Sequence, residues 1–183
     1  AGKRNVGGLV GYLRGEAIES CQVSGSVNGN MRVGGLAGIN LGGKITESSA
    51  EVKVVASKGS FTVSTYTGGL VGDNQGVISK SHARGDVSGE LYVGGLVGVN
   101  TNGIINDQIS FGKITGSSAN AKVTGETSIG GLLGINDGAV VENSHATGQV
   151  EGIEDVGGLA GEISCGPVTN SFALGNVKGE INV

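Results

Sequence analysis

The hexapeptide VGGLVG at Val6–Gly11 is the stretch that decides the fold, because close copies of it recur along the whole chain. The copies begin at residues 33, 67, 93, 129 and 156, so successive starts are 27, 34, 26, 36 and 27 residues apart. Periods of this size are typical of stacked repeats whose units cannot bury an apolar face alone. We therefore predict six coils of about 27 residues, with insertions in coils 2 and 4.

A second motif lies downstream of the hexapeptide in most repeats. It reads SHARGDV at 81–87, SHATGQV at 144–150 and SFALGNV at 171–177, which align as Ser-x-Ala-x-Gly-x-Val. Alternation with a period of two predicts a strand with one buried face. Extended to all repeats, with coil 4 entering at Gln108, the motif predicts three inward columns. These are Cys21/Ser48/Ser81/Gln108/Ser144/Ser171, Val23/Ala50/Ala83/Ser110/Ala146/Ala173 and Val27/Val54/Val87/Ile114/Val150/Val177.

The composition agrees with a thin, elongated core. Glycine supplies 38 of 183 residues, and aromatic residues make up only 3%. Frequent glycine disfavours helices and suits corners where φ is positive or backbones pack closely. The predicted fold is all-β: a β-solenoid resembling a parallel β-helix, in which each coil makes about three short strands and coils stack about 4.8 Å apart. We expect residues 1–183 to form a single repeat domain, cut from a longer array.

Asn40, Asn74, Asn100 and Asn136 share one position of the repeat, while Leu13 and Ile163 replace the asparagine in the first and last coils. Stacked amides can hydrogen-bond along a rod, as they do in cross-β ladders. We predict that these asparagines stabilise the stack and do not bind a ligand.

The repeats resemble the GLUG motif, which is named for Gly-Leu-any-Gly and is represented here by Gly8-Leu9-Val10-Gly11 and its five counterparts. The resemblance covers nearly the whole chain. It implies a large bacterial surface or secreted protein, such as an adhesin of the filamentous-haemagglutinin type, or the non-catalytic region of an immunoglobulin A1 metallopeptidase. An extracellular location and a spacer or binding role follow from the same resemblance.

Residue patterns that carry catalysis or metal binding are not apparent, and we predict no enzyme activity and no cofactor. The sequence contains no HExxH motif, and its aspartates fall at different repeat positions. His82 and His145 share one outward position but lie two coils, about 10 Å, apart, with Ile109 between them. Cys21 and Cys165 fall in the first and sixth coils, too far apart for a disulfide.

Charge and hydropathy argue against two classes of partner, nucleic acids and membranes. The net charge of −4 and the scattered Lys and Arg argue against binding of nucleic acid. The sequence also lacks an apolar run of about 18 residues, which a membrane-spanning helix would need. Partners that remain are a host glycan, a matrix protein and neighbouring repeats of the parent chain.

Two features are candidates for partner binding. The extra residues of coils 2 and 4, taken as Val55–Thr65 and Ser117–Val123, are expected to project from one corner of the rod, the first as a small hairpin around Lys58. An outward apolar group is expected along one strand column, with two tyrosines stacked in adjacent coils. The candidate residues are Lys58, Phe61, Tyr66, Tyr92, Ile109, Phe111, Phe172 and Leu174.

The sequence thus predicts a non-catalytic structural or adhesive module of a bacterial cell-surface or secreted protein. An accessory region of a secreted enzyme such as an IgA1-type metallopeptidase is the alternative. A catalytic β-helix acting on polysaccharide would require acidic residues clustered in one groove. Ice binding would require a regular outward ladder, whereas the outward column Gln22, Ser49, His82, Ile109, His145, Phe172 is irregular.

Overall fold

The computed structural model describes residues 4–57 and 65–183, which form strands, turns and corners. The strands stack in parallel across successive coils, and this confirms the predicted β-solenoid. Within the two described ranges, no helix is long and apolar enough to span a membrane.

Each coil runs through short strands that are numbered here in chain order. Coils 1 to 3 contain β1 (Arg4–Gly7), β2 (Val10–Arg14), β3 (Ala17–Glu19), β4 (Gln22–Gly29), β5 (Met31–Gly34), β6 (Ala37–Thr46), β7 (Ser49–Ala56), β8 (Thr67–Gly68), β9 (Val71–Ser79) and β10 (His82–Ser88). Coils 4 to 6 contain β11 (Leu91–Gly94), β12 (Val97–Thr101), β13 (Gly103–Ile105), β14 (Gln108–Ser110), β15 (Lys113–Thr115), β16 (Ser118–Thr124), β17 (Thr127–Gly130), β18 (Leu133–Asp137), β19 (Val140–Glu142), β20 (His145–Ala146), β21 (Val150–Glu151), β22 (Glu154–Gly157), β23 (Ala160–Cys165), β24 (Val168–Thr169), β25 (Phe172–Ala173) and β26 (Val177–Lys178).

Three sheets form the sides of the rod. Sheet A stacks β1, β5, β8, β11, β17 and β22; sheet C stacks β4, β7, β10, β16, β20 and β25, with β21 and β26 continuing the last two coils. Sheet B lies between them along the chain and contains ten strands from β2 to β24. Every coil therefore passes through sheet A, then B, then C.

The hexapeptide makes the corner between sheets A and B. Its first glycine ends the strand of sheet A, its leucine turns inward, and its last residues begin sheet B. Leu36, Leu70, Leu96 and Leu132 are all fully buried. The stack explains the final glycine: a Cβ on Gly98 would lie 2.5 Å from the backbone nitrogen of Thr67, in the preceding coil's corner. Close packing of backbones therefore fixes this glycine.

Positive φ angles occur mainly at non-glycine residues, away from the hexapeptide corner. Two columns of residues adopt left-handed backbone conformations with φ near +50°, one along sheet A and one at the corner between sheets B and C. Such conformations cost roughly 1 kcal/mol or more each and persist only where the surroundings hold them. Here backbone hydrogen bonds to adjacent coils do so, as from the Glu47 N–H to the Ser79 carbonyl. The first column is Asn5, Arg32, Tyr92, Ser128, Asp155 and Asn182; the second is Ser20, Glu47, Lys80, Gly116, Asn143 and Asn170.

The core is a narrow channel filled by repeated aliphatic columns. From coil to coil the same position carries the same kind of side chain, as in the alanine column that includes Ala50, Ala83 and Ala146, each 1% exposed. The valines of the second motif, Val54, Val87 and Val150, are buried in the same way. The inward columns that were predicted outside coil 4 are therefore confirmed.

In coil 4 the predicted register is wrong. Strand β16 pairs residue for residue with β10, which places Ser118 beside His82, Ala119 beside Ala83 and Val123 beside Val87. The inward members of coil 4 are therefore Ser117, Ala119 and Val123, and not Gln108, Ser110 and Ile114. Ile114 instead extends a buried column of sheet B beside Ile78 and Val141.

The insertion of coil 4 is accordingly the antiparallel hairpin β13–β14, and Ser117–Val123 is not an excursion. The hairpin interrupts sheet B and lies back over earlier coils: Ser110 Oγ donates to the Gln75 carbonyl at 2.5 Å, and Arg14 Nη2 donates to Asn106 Oδ1 at 3.4 Å. A side chain on Gly42, where φ is +62°, would collide with Ile105. The hairpin thus contacts coils 1, 2 and 3.

The insertion of coil 2 lies elsewhere. The register pairs Val55 with Ser88 and Thr67 with Val93, so the extra residues fall at the corner between sheets C and A. The predicted common corner for the two insertions is wrong. The predicted hairpin around Lys58 lies largely outside the described residues.

Two buried polar ladders run through the interior. Asn40, Asn74 and Asn100 each donate a side-chain Nδ2–H to the Oδ1 of the asparagine in the next coil, at 2.8 Å in all three bonds. Asn136 ends the ladder by donating to the carbonyls of Ala139 and Cys165. This confirms the predicted asparagine ladder.

The second ladder is made by the serines that begin the downstream motif. Each hydroxyl accepts the backbone N–H of the preceding coil at 3.1–3.2 Å and donates to the carbonyl two residues earlier in its own coil. In coil 1 Cys21 takes the serine's place, and its thiol donates to the Glu19 carbonyl. The members are Cys21, Ser48, Ser81, Ser117, Ser144 and Ser171.

The outer face of sheet C as a candidate functional site

Sheet C offers a broad outer surface because its strands alternate inward and outward side chains over most of their length. With the corrected register, one outward column is Gln22, Ser49, His82, Ser118, His145 and Phe172. Ser118 therefore separates the two histidines, where Ile109 was predicted. The next outward column contains Ser24, Glu51, Arg84 and Asn120.

A shallow cleft of about 200 Å³ opens on this face across coils 1 to 3. Strands β4, β7 and β10 hold its lining in register, since all three pair in parallel. Gln22, Glu51, His82 and Arg84 are exposed, Ser49 is half-buried, and Ala50 forms the floor with 1% exposure. Polar side chains thus surround a small apolar floor.

The charged side chains of the cleft are not paired with each other. Glu51 and Arg84 are direct neighbours across β7 and β10, which is a favourable arrangement for a cross-strand ion pair. Within residues 4–57 and 65–183, however, neither makes an ion pair within 4.0 Å or a side-chain hydrogen bond. Both charges therefore face solvent at the cleft.

His82 is oriented by its neighbour in the next coil. Its Nδ1 lies 2.8 Å from Ser118 Oγ, which leaves Nε2 as the ring nitrogen without a hydrogen bond among the described residues. Further along the same column, the His145 ring stacks on Phe172, with centroids 4.9 Å apart and planes 6° from parallel. The column therefore changes from polar in coils 1 to 4 to aromatic in coils 5 and 6.

A separate corner holds the two tyrosines that were predicted to stack. Tyr66 and Tyr92 meet edge to face, with centroids 5.7 Å apart, and this contact confirms their predicted adjacency. The Arg32 guanidinium lies 5.6 Å from the Tyr66 centroid and its Nε donates to Asp73 Oδ2 at 3.0 Å. Gln75 Nε2 donates to both Asp73 oxygens.

Asp73 is only 2% exposed. Burial raises the pKa of its carboxyl above the ordinary value, whereas the Gln75 hydrogen bond and the Arg32 charge lower it. Burial likewise raises the pKa of Tyr66, and the nearby Asp73 charge adds to that increase. Because Arg32 and Gln75 already occupy the carboxylate, this corner stabilises the contact between coils 2 and 3.

The apolar residues that were predicted to share one outward column lie in two different places. Ile109 and Phe111 belong to the hairpin and the residue after it, and Phe172 and Leu174 lie on sheet C in coil 6. All four are more than half exposed, but the predicted common column is wrong because it rested on the wrong register of coil 4. Lys58 and Phe61 lie outside the described residues. Whether any of these candidates binds a partner stays a prediction.

Sequence reasoning did not single out Glu51 and Arg84. The signal was present, because strict alternation from the outward Ser49 and His82 places both residues on the same face two positions later. No motif marks them, since other repeats carry Ser24 and Asn120 at that position.

The described residues offer neither a metal site nor a disulfide as a marker of function. No group of three or more His, Cys, Asp or Glu in the described part of the chain is placed to hold a metal ion. Cys21 and Cys165 are both free thiols. Cys21 belongs to the serine ladder, and the Cys165 thiol lies 3.5 Å from Asp137 Oδ1 at the surface.

Comparison with known proteins identifies the repeat unit. A family model described as the GLUG motif matches residues 2–28, 29–55, 89–124 and 125–151, which together make up more than half of the chain. The four matched units begin at Gly2, Gly29, Gly89 and Gly125. Searches of curated proteins and of solved structures found no match.

Proposed function

The chain belongs to the GLUG-motif family, and from this premise we propose that it is a non-catalytic structural and adhesive module of a bacterial cell-surface or secreted protein. In this role the stacked coils form a stiff rod, and the outer face of sheet C contacts the partner. A host glycan or a matrix protein is the partner class that we propose.

The observation that carries the proposal is the unbroken pair of buried ladders. The asparagine ladder joins coils 2 to 5, and the serine ladder joins all six coils. Bending the rod would lengthen hydrogen bonds between buried groups, and leaving a buried polar group unsatisfied costs about 1–3 kcal/mol. A rod that resists bending in this way suits a role in holding a binding surface at a distance.

The arrangement of polar groups supports binding over catalysis. The buried carboxylate of Asp73 is already bonded to Arg32 and Gln75. Among the described residues that line the cleft, Glu51 is the one acid. Glycoside hydrolysis normally uses two carboxyl groups that flank one bond. The cleft therefore has the chemistry to hold a polar partner without cleaving it.

The test is binding of the purified chain to arrays of host glycans and matrix proteins, with a parallel assay for released products. We expect saturable retention and no product. Cleavage of a glycan would overturn the non-catalytic proposal in favour of a catalytic β-helix. Absence of retention on every array would contradict the adhesive part of the proposal.

A further inference from the structure

We propose that the cleft of sheet C binds an acidic sugar, a pyranose that carries a carboxylate beside free hydroxyl groups, with Arg84 holding the carboxylate. The inference rests on the proposed adhesive function and names its site and ligand class. The groups that carry it are Gln22, Ser49, Glu51, His82 and Arg84.

The dimensions of the cleft suit a single sugar unit and its substituents. Its polar groups come from three successive coils and two outward columns. With coils about 4.8 Å apart and outward positions about 6.6 Å apart along a strand, they cover an area of about 10 Å by 7 Å. The volume of about 200 Å³ is smaller than the clefts that hold drug-sized ligands.

The cationic side of the cleft is suited to an anion. The Arg84 guanidinium is exposed and makes no ion pair among the described residues. Its planar fork matches the two oxygens of a carboxylate and binds them with two parallel hydrogen bonds. His82, fixed through Nδ1 by Ser118, adds a second nitrogen at the same side of the cleft.

The anionic side of the cleft is suited to a hydrogen-bond donor. Glu51 lies one coil from Arg84 on the same column, and its ionised carboxylate can only accept hydrogen bonds. A simple carboxylate ligand would leave Glu51 facing a like charge, and a neutral sugar would leave Arg84 without a counter-charge. A sugar acid supplies the carboxylate and the hydroxyl donors from one ring, and Gln22 and Ser49 can bond the remaining hydroxyls.

A peptide is a poorer fit to this face. Strand β7 is paired on both sides, with β4 and with β10, so a peptide cannot add as a further strand there. The floor offers only Ala50, which is 1% exposed, so an apolar side chain of a peptide would find no pocket. A peptide terminus could satisfy only the two charges.

Titration calorimetry of the purified chain with tetragalacturonate, galactotetraose and alanyl-alanine tests the proposal. We expect tetragalacturonate to bind at least about tenfold more tightly than the neutral tetrasaccharide, because one charged hydrogen-bonded contact contributes that much. Equal binding of the two tetrasaccharides, stronger binding of the dipeptide, or binding of none of the three probes would overturn it.

Matched variants locate the site. Arg84→Gln should weaken tetragalacturonate binding about tenfold or more, and Glu51→Leu, which removes the acceptor for the sugar hydroxyls, should weaken it several-fold. Lys122→Gln is the control, since it removes one positive charge from the same face of sheet C but lies outside the cleft. Equal losses for Arg84→Gln and Lys122→Gln would mean that only the general field attracts the sugar, and would overturn the assignment.

The outcomes separate the two proposals. All three residues are exposed, so their substitution should leave the thermal unfolding transition unchanged, and a circular dichroism melt verifies this. If the chain is retained on a glycan or matrix array but does not bind tetragalacturonate, the acidic-sugar site fails while the adhesive function stands. If no array retains the chain, the adhesive function fails as well.

Discussion

The asparagine ladder and the Asp73 corner are two ways in which this rod buries polar side chains, and they differ in what satisfies them. Asn74 and Asn100 each bond to an identical amide one coil away. Asp73 stands at a position that carries Ile39 and Val99 in the neighbouring coils, so no identical group can serve it. It is instead bonded by Arg32 and Gln75.

The comparison shows that a buried polar side chain can find its hydrogen-bond partner in a copy of itself in the next coil, without a partner of another kind. An amide carries both a donor and an acceptor, so a stack of amides satisfies itself by translation along the rod. A carboxylate is only an acceptor when ionised and repels a copy of itself, so it can occur in a single coil only with partners from other positions. The ladder therefore extends through several coils, and the aspartate does not.

The largest expected effect comes from breaking the ladder at its centre. Asn100→Leu removes the donor to Asn136 Oδ1 and the acceptor of Asn74 Nδ2, both in fully buried side chains. We expect the free energy of unfolding to fall by about 2–4 kcal/mol, measured by urea denaturation. The same change at the exposed Asn120 should cost no more than about 0.5 kcal/mol. Similar losses for both variants would show that the ladder adds little.

The Asp73 corner should respond differently to the loss of Arg32 and to the loss of Asp73 itself. Arg32→Met leaves a buried carboxylate with Gln75 alone, and we expect a loss of about 1–3 kcal/mol, less than for a fully buried pair because Arg32 is partly exposed. Asp73→Ile restores the aliphatic column, although it leaves Arg32 without its carboxylate partner. Its free energy of unfolding should lie within about 1 kcal/mol of that of the unmodified chain. Chemical denaturation of both variants checks this order. A greater loss for Asp73→Ile would contradict it.

The two ends of the asparagine ladder test whether an added amide is stabilised by the amide of the next coil. Asn40 Oδ1 is buried and has no hydrogen-bond partner among the described residues, because Leu13 occupies the preceding position. Leu13→Asn should therefore be about 1 kcal/mol more stable than Leu13→Ala, since its amide can donate to Asn40. At the other end Asn136 Nδ2 is already satisfied, so Ile163→Asn should gain nothing over Ile163→Ala. If the Asn and Ala variants differed in stability by the same amount at both ends, the donor-to-acceptor direction assigned to the ladder would be wrong.

The smallest effect is a pH dependence that only the aspartate should show. Because the pKa of Asp73 is raised in the folded chain, the folded state binds its proton more tightly than the unfolded state. Its contribution to stability is therefore greatest below the ordinary carboxyl pKa of about 3.9 and is lost as pH rises through the raised value. Stability measured against Asp73→Asn should increase on acidification across that window. A constant difference between the two proteins would contradict the raised pKa.

Much of the fold could be read from the sequence because the repeat enforces it six times. The hexapeptide fixes where each coil starts, and the alternation in SHARGDV and SHATGQV fixes which side chains turn inward. The asparagine ladder followed from the shared position of Asn40, Asn74, Asn100 and Asn136. These predictions needed only spacing, because every coil rests on a copy of itself.

The register of coil 4 could not be read in the same way. The segments 108–114 and 117–123 both alternate small or apolar residues with a period of two. Alternation is a local property, whereas register depends on which neighbouring strand a segment meets, and a slip changes every contact. Only the pairing of β16 with β10 and β20 distinguished the strand from the hairpin.

The cleft was not predicted as a site. Alternation placed Gln22, Ser49 and His82 on the outward face, but nothing in the sequence selected them as a site or selected Glu51 and Arg84 among the charged residues. Their significance depends on being adjacent across a sheet while remaining unpaired, which is a property of side-chain conformation. The apolar candidates failed as a group because their shared column depended on the register of coil 4.

By itself, then, the sequence determined the repeat, the all-β stack, the inward columns of five coils and the amide ladder. Each follows from a local pattern of residues that recurs in successive coils. The tertiary structure alone decided where the coil 4 insertion leaves the rod, how Arg32 and Gln75 satisfy a buried aspartate, and which polar side chains share a cleft. These depend on contacts between residues far apart in the chain, at positions where the repeat is broken and spacing no longer predicts the neighbour.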